Sequence, residues 1–248
     1  MNISGNTVLI TGGGTGIGRA LAEQLHAHDN QVIITGRRQA ALDEVTAANR
    51  GMKSIVLDCD DAAAIHALAK RLTTEQPRLN VLVNNAGIMR VEKLLEQPDD
   101  LADAVAIVTT NLLGPIRLTQ AFLPLLRRQP RSTIVTVSSG LAFVPLTLTP
   151  TYNATKAAIH SFTEALRVQV AGTAIQVIEL IPPAVRTTLM GQQDSEQAMP
   201  LEEFLTETMA LLRTRPDAKE ILVENVKFLR SAATDGTYDS VLAMLSGH

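Results

Sequence analysis

The sequence predicts an α/β fold: one domain built on a doubly wound parallel sheet with helices on both faces. Three observations point there. Six short runs rich in Val and Ile alternate with longer amphipathic stretches. The runs are apolar at successive positions, which marks strands buried on both faces. The chain has 248 residues with no repeat, low-complexity tract or linker, which is the size of one large α/β unit.

The elements follow in order. "TVLIT" (7–11) precedes a helical stretch at 16–28, and "QVIIT" (31–35) precedes one at 38–50. "KSIVL" (53–57) leads to 61–76, and "NVLVN" (80–84) to a long apolar helix over 99–128. "STIVTV" (132–137) is followed by a loop and a helix at 152–171, and "AIQVIEL" (174–180) ends the series. Right-handed crossovers connect such strands. Ligands of these sheets bind outside the carboxyl ends of the strands, so the residues after each run deserve most weight.

Composition narrows the function. A net charge of −3 gives no reason to expect a nucleic-acid partner. The short basic group Arg127, Arg128 and Arg131 follows an apolar helix and reads as its solvated C-terminal end. The opening "MNISGNTVLI" has no basic segment leading into an apolar one, so it is not expected to be a signal peptide. No stretch reaches the ~18 apolar residues of a membrane span, and the expected location is the cytoplasm. A lone cysteine, Cys59, excludes an intramolecular disulfide and fits a reducing compartment. It lies between Asp58 and Asp60, a poor setting for a thiolate, so no redox role is expected. His26, His28, His66, His160 and His248 show no metal-binding spacing. They are expected at the surface or in helix packing, with no metal.

The first run feeds "TGGGTGIG". Glycines at 12, 13, 14, 16 and 18 let a backbone approach a pyrophosphate, and a helix N-terminus offers free N–H groups. The spacing Gly12, Gly16, Gly18 is not the strict G-x-G-x-x-G pattern. The second run ends "TGRR". It has no carboxylate for the ribose 2′-OH of NAD, and the guanidiniums of Arg37 and Arg38 suit a phosphate. NADP is therefore favoured and NAD is the alternative. In the competing reading, Arg37 covers the adenine and Arg38 opens a helix in solvent. Asp58 either accepts from the adenine amino group or stabilises the turn "DCDD". "NNAG" (84–87) ends the fourth run, with small residues beside the cofactor and a turn role for Asn85.

The fifth run ends "SSG", and "TYNATK" begins the helix after the loop. Tyr152 and Lys156 are at i and i+4 and share a helical face. An ammonium beside a phenol lowers its pKa from ~10, and such a phenol can exchange a proton with a substrate oxygen near neutral pH. A serine hydroxyl beside it can hold that oxygen. Asn111 is a polar residue in the apolar stretch "VTTNLLGP", and a buried amide needs partners.

"TGGGTGIG", "NNAG", Asn111, "SSG" and "YNATK" together resemble the short-chain dehydrogenase/reductase family over nearly the whole chain. "SSGLAF" and "IPPAVRT" resemble its DltE-type oxidoreductases more narrowly. The resemblance implies a single Rossmann-like domain over 1–248 and a catalytic tetrad of Asn111, Ser139, Tyr152 and Lys156. Tyr152 would be the general acid/base and Ser139 would face the substrate. Lys156 would lower the tyrosine pKa and bond the nicotinamide ribose, and Asn111 would anchor a water linked to the lysine. The nucleotide would meet Gly12, Gly14, Thr15, Gly16, Ile17, Gly18, Arg37, Arg38, Asp58, Asn84, Ala86, Gly87, Tyr152, Lys156, Pro182, Val185 and Thr187. The implied reaction moves a hydride between nicotinamide and a small carbonyl or alcohol substrate. The alternative is a regulatory or sensor protein that binds NAD(P) without turnover.

Two departures stand out. Pro182 and Pro183 replace the family's Pro-Gly, which removes an N–H beside the nicotinamide. "TYDSVLAMLSGH" has helical spacing where relatives end in a strand. The last strand is therefore expected to be missing, and a homodimer is favoured over a tetramer, built on the helices at 99–128 and 152–171. The segment 188–215 is expected to be a substrate lid. Met89, Leu141, Phe143, Val185 and Met190 are candidate pocket residues.

Overall fold

A computed structural model of the chain describes residues 1–96 and 101–247. Seven strands form one parallel sheet in the order β3-β2-β1-β4-β5-β6-β7. They are β1 (Thr7–Thr11), β2 (Gln31–Gly36), β3 (Lys53–Val56), β4 (Leu79–Asn84), β5 (Ser132–Val137), β6 (Ile175–Ile181) and β7 (Glu220–Leu222). The order reverses between β1 and β4, which opens a crevice at their carboxyl ends. The first half carries α1 (Gly16–Ala27), α2 (Gln39–Ala48), α3 (Ala62–Glu75) and α4 (Ala102–Val108). The second carries α5 (Gly114–Leu126), α6 (Pro150–Gln169), α7 (Leu201–Thr214), α8 (Lys227–Arg230) and α9 (Tyr238–Ser246).

Alternate strand residues serve two separate cores, which is why the runs are apolar throughout. Val8, Ile10, Val32, Ile34, Val81 and Val83 pack on one face with α1 and α7. Leu9, Ile33, Leu82, Ile134 and Val177 pack on the other with α3, α5 and α6. Asp61 caps α3 by accepting from Ala63 N–H at 2.8 Å and Ala64 N–H at 3.0 Å.

Two expectations need correction. The helix expected over 99–128 is broken into α4, a π-turn at Thr109–Leu113, and α5. Residues 99 and 100 lie outside the described residues. A π-turn inserts one residue into the helical register, and the insertion falls around Asn111. The last strand is present: β7 pairs with β6 through Glu179↔Glu220, Leu180↔Ile221 and Ile181↔Leu222. The sequence end is helical, as α9, but the strand lies upstream of it and is only 3 residues long. The stated reason for preferring a dimer to a tetramer therefore falls.

Candidate active site

A cleft of about 1140 Å³ runs along the carboxyl edge of the sheet. At one end lies the turn after β1. Gly12 has φ +68°, and a Cβ there would come within 2.9 Å of Asn85 Nδ2 and 3.0 Å of Ala86 Cα. A Cβ on Gly18 would fall 2.3 Å from the Gly12 carbonyl oxygen. These two glycines let the turn close on β4 and on itself. Gly12, Gly14, Thr15, Gly16, Ile17 and Gly18 all border the cleft. Helix α1 starts after Thr15 with no side-chain cap and no acidic residue in its first turn. Its first N–H groups and partial positive charge are thus left for an anion.

Arg37 and Arg38 are exposed, border the cleft and form no ion pair among the described residues. Asp58 borders it too, while one of its carboxylate oxygens accepts the Asp60 N–H at 3.1 Å. The turn role considered for it is therefore present. Ala86 and Gly87 border the cleft. Asn84 does not: its amide donates to Thr119 Oγ1 at 3.1 Å, on the α5 side of the sheet. Side chains alternate along a strand, so the cleft position passes to Asn85. Asn85 Nδ2 donates to the Thr11 carbonyl at 2.9 Å, and Thr11 Oγ1 accepts from the N–H groups of Asn85 and Ala86 at 3.1 Å each. The Thr11–Asn85 stitch between β1 and β4 was missed, although alternation alone would have separated 84 from 85.

At the centre, Ser139, Tyr152 and Lys156 meet in the cleft. Ser139 leaves β5 in extended backbone, and its Oγ accepts the Leu141 N–H at 3.1 Å. Tyr152 and Lys156 stand one turn apart on α6 and are 7% and 5% exposed, so both are almost wholly withdrawn from water. Lys156 Nζ donates to the Val137 carbonyl at 2.9 Å and sits 5.5 Å from the centroid of the Tyr152 ring. Burial pushes the Tyr152 phenol up to about 12, against a hydrogen bond from Ser139 that lowers it. The expected lowering by the lysine is not what governs here: burial does, and the ammonium is turned to a backbone carbonyl. Burial likewise pulls Lys156 down to about 8, opposed by Glu179.

Asn111 does not border the cleft. It is 1% exposed, accepts the Ile88 N–H through Oδ1 at 2.8 Å and donates to the Ile88 carbonyl at 2.8 Å and to Thr155 Oγ1 at 3.3 Å. Its side chain is committed to the backbone just past Gly87, and it fixes the segment facing Lys156.

At the far end, the Pro182 carbonyl accepts the Gly140 N–H at 2.9 Å, which ties the loop after β6 to the loop after β5. Pro182, Val185 and Thr187 border the cleft. The segment beyond them folds back: Val185 pairs with Met199, and Arg186 Nε donates to the Ser195 carbonyl at 2.9 Å and the Ala198 carbonyl at 3.1 Å. Of the candidate pocket residues, Met89, Leu141 and Val185 border the cleft. Phe143 does not, being held between the His160 ring at 4.8 Å and the Arg230 guanidinium at 4.5 Å. Met190 does not either; its φ of +56° turns it out of the wall and it is exposed. Asn225, Phe228 and Leu229, with Met244 and Leu245 of α9, complete the wall and were missed.

Cys59 is buried and its thiol is pushed up to about 12 by burial, with Asp58 and Asp60 adding to the effect. His160 is not a simple packing residue, since its Nδ1 lies 2.9 Å from the buried Glu179 carboxylate. Among the described residues no helix is long and apolar enough to cross a membrane.

A nicotinamide dinucleotide fits these residues. The turn would be filled by a Cβ at Gly12 or Gly18, α1 opens uncapped, and two free guanidiniums flank the second strand. Comparison with known proteins agrees with this geometry. The family model described as short chain dehydrogenase matches residues 6–198. The uncharacterized oxidoreductase DltE of Bacillus subtilis (strain 168) is 38% identical over 249 residues, covering 99% of this chain and 98% of that protein. A short-chain dehydrogenase from Streptomyces avermitilis superposes with a TM-score of 0.84 at 28% identity, covering 97% of this chain and 96% of that one. A short chain dehydrogenase from Burkholderia cenocepacia J2315, solved in complex with NADP, superposes with a TM-score of 0.83 at 25% identity and 99% coverage of both chains. The chain is an oxidoreductase of the short-chain dehydrogenase/reductase family and belongs to its DltE branch.

Proposed function

We propose that the protein is an NADP-preferring oxidoreductase that interconverts a small carbonyl compound and its alcohol. The observation that carries this reading is the meeting of Ser139, Tyr152 and Lys156 in the same cleft as the uncapped turn after β1. The nicotinamide, when bound, supplies or takes the hydride. The chain handles the proton and the orientation. Tyr152 holds its proton at neutral pH, being pushed up to about 12, so it is in the form that donates to a carbonyl oxygen. The Ser139 hydroxyl hydrogen-bonds the phenol and can hold the same oxygen. Lys156 would hold the ribose hydroxyls, and Asn111 keeps the facing backbone in place.

Arg37 and Arg38 supply the NADP preference, having no carboxylate partner among the described residues. The lid is 188–215, of which the part up to Met199 folds back on Val185 and Arg186 while α7 packs into the core, and the apolar wall of Met89, Leu141, Phe228 and Met244 favours a substrate of modest apolarity. Exposed Val105 on α4, Leu113 and Val168 on α6 support a homo-oligomer through those helices. The cytoplasm remains the proposed location.

The test is an assay with NADPH and NADH over a panel of carbonyl compounds and alcohols, followed at the nicotinamide absorbance band. Turnover of some panel member, faster with NADPH, is expected. Nucleotide binding without turnover of any panel member would favour the sensor reading.

A further inference from the structure

Glu179 is a carboxylate in the middle of β6, and it is 0% exposed. Its register partner on β5 is Thr136, whose Oγ1 bonds Thr163 of α6 at 2.8 Å. The Glu179 side chain therefore lies on the sheet face that α6 covers. Its Oε2 is 2.9 Å from His160 Nδ1, while its Oε1 has no hydrogen-bond partner. A fully buried carboxylate with one unpaired oxygen is costly unless cations stand near.

Three basic groups are candidates. Arg230 of α8 is already committed, donating through Nε to Glu220 Oε2 at 3.0 Å and through Nη2 to Glu220 Oε1 at 2.9 Å. His160 is in contact, and Lys156 is one turn before it on the same helical face. Lys156 Nζ reaches the carbonyl of Val137, the residue following Thr136 on β5, and no carboxylate lies within ion-pair distance of it among the described residues. Two nearly water-free groups of opposite charge thus share one face of the sheet at neighbouring register positions.

Resting on the functional reading above, we propose that Glu179 is a positioning residue for Lys156: its buried negative charge keeps the lysine in the ammonium form, and His160 closes the pair toward solvent. The effect of Glu179 in raising the Lys156 proton affinity agrees with this arrangement. With Glu179 ionised, His160 carries its proton on Nδ1 and donates it to Oε2. Its Nε2 lies 3.7 Å from Glu164. The charged surroundings of Glu179 are Lys156, His160, Glu164 and Arg167 from α6, Glu220 from β7 and Arg230 from α8. Arg167 bonds the Val177 and Lys219 carbonyls. The donor atoms of His160, Glu179 and Glu220 lie within 4.8 Å of one another, but the Arg230 fork on Glu220 already supplies positive charge there.

The test reads the lysine directly and needs no turnover. The full chain is labelled with [ε-¹³C]lysine, and the Lys156 signal is identified by its loss in Lys156→Met. Its titration midpoint is then measured in the wild type, Glu179→Gln and Glu179→Asp. Glu179→Gln is expected to lower the midpoint by about one pH unit, a tenfold loss of proton affinity, and Glu179→Asp to keep most of it. If turnover is found, the pH profile of kcat should shift in the same direction. Should Glu179→Gln not fold, Glu179→Leu takes its place and must lower the midpoint in the same way. An unmoved midpoint in whichever uncharged variant folds would overturn the proposal. The NMR result stands whether or not the protein reduces carbonyl compounds, so failure of the pairing and failure of the functional reading are told apart.

Discussion

The two ends of the cleft are built from different materials. The end at β1 is made of backbone: a turn with two indispensable glycines, an uncapped helix, and the Thr11–Asn85 stitch to β4. The far end is made of side chains from segments distant in sequence: Met89 after β4, Leu141 after β5, Val185 after β6, and Phe228 and Met244 near the C-terminus. Backbone geometry constrains residue type tightly, because only glycine fits where a Cβ would strike main chain. A wall of apolar side chains constrains only size and polarity, and many sequences satisfy it. On the proposed reading, the first end carries one nucleotide across many substrates, and the second is free to set the substrate.

Substitutions at the two ends should break different functions. Gly18→Ala should have the largest effect, since its Cβ would lie 2.3 Å from the Gly12 oxygen and backbone must move. NADPH affinity measured by nicotinamide fluorescence should fall by about a hundredfold or more, roughly 3 kcal/mol. Unchanged affinity would mean that the turn is not the nucleotide site.

Lys156→Met should lower turnover by about a hundredfold without lowering the melting temperature at pH 7. The sign follows from burial. The lysine is held at about 8 in the fold, below its ordinary 10.5. The unfolded chain thus binds the proton more tightly, and burying the charge opposes folding at pH 7. That penalty is relieved as pH rises from about 8 toward 10.5, so wild-type stability gains on Lys156→Met across this window. A melting temperature lowered by Lys156→Met at pH 7 would show that the ammonium stabilises the fold.

Replacing Arg37 and Arg38 together by Ala should raise the KM for NADPH about tenfold and leave that for NADH nearly unchanged, tenfold corresponding to ~1.4 kcal/mol. Equal changes for both nucleotides would place the guanidiniums on a part common to the two. The smallest effect belongs to the far end. Phe228→Ala should change the substrate KM by roughly threefold to tenfold, less than a full core truncation, because the ring is half exposed. Nucleotide affinity should not move; if it does, the division between the two ends is wrong.

The same division explains what could be read from the chain. The first six strands, the glycine turn and the pair 152/156 were legible because each has a local signature: apolar runs, missing side chains, and helical i,i+4 spacing. β7 was not, because 3 residues are too few for a period to appear. The π-turn at Thr109–Leu113 changes register by one residue and leaves hydrophobicity intact, so the long helix read as unbroken. Asn111 was singled out correctly as a buried amide needing partners, but its partner Ile88 is 23 residues away, and only the fold pairs them. Phe228 and Met244 carry no mark distinguishing a cleft wall from a core face. Tyr152 shows the limit most clearly. Spacing places Lys156 beside it, but the acidity of the phenol is decided by burial, which spacing does not report.

The central claim is that the Tyr152 hydroxyl is the group that gives and takes the substrate's proton. The direct test is Tyr152→Phe, with NADPH affinity and turnover measured on one preparation and both reaction directions followed against pH. A phenol pushed up to about 12 predicts that wild-type carbonyl reduction is level through neutral pH while alcohol oxidation climbs as pH rises. In Tyr152→Phe both directions should fall by about a thousandfold with nucleotide affinity unchanged. Turnover retained by Tyr152→Phe would contradict the account.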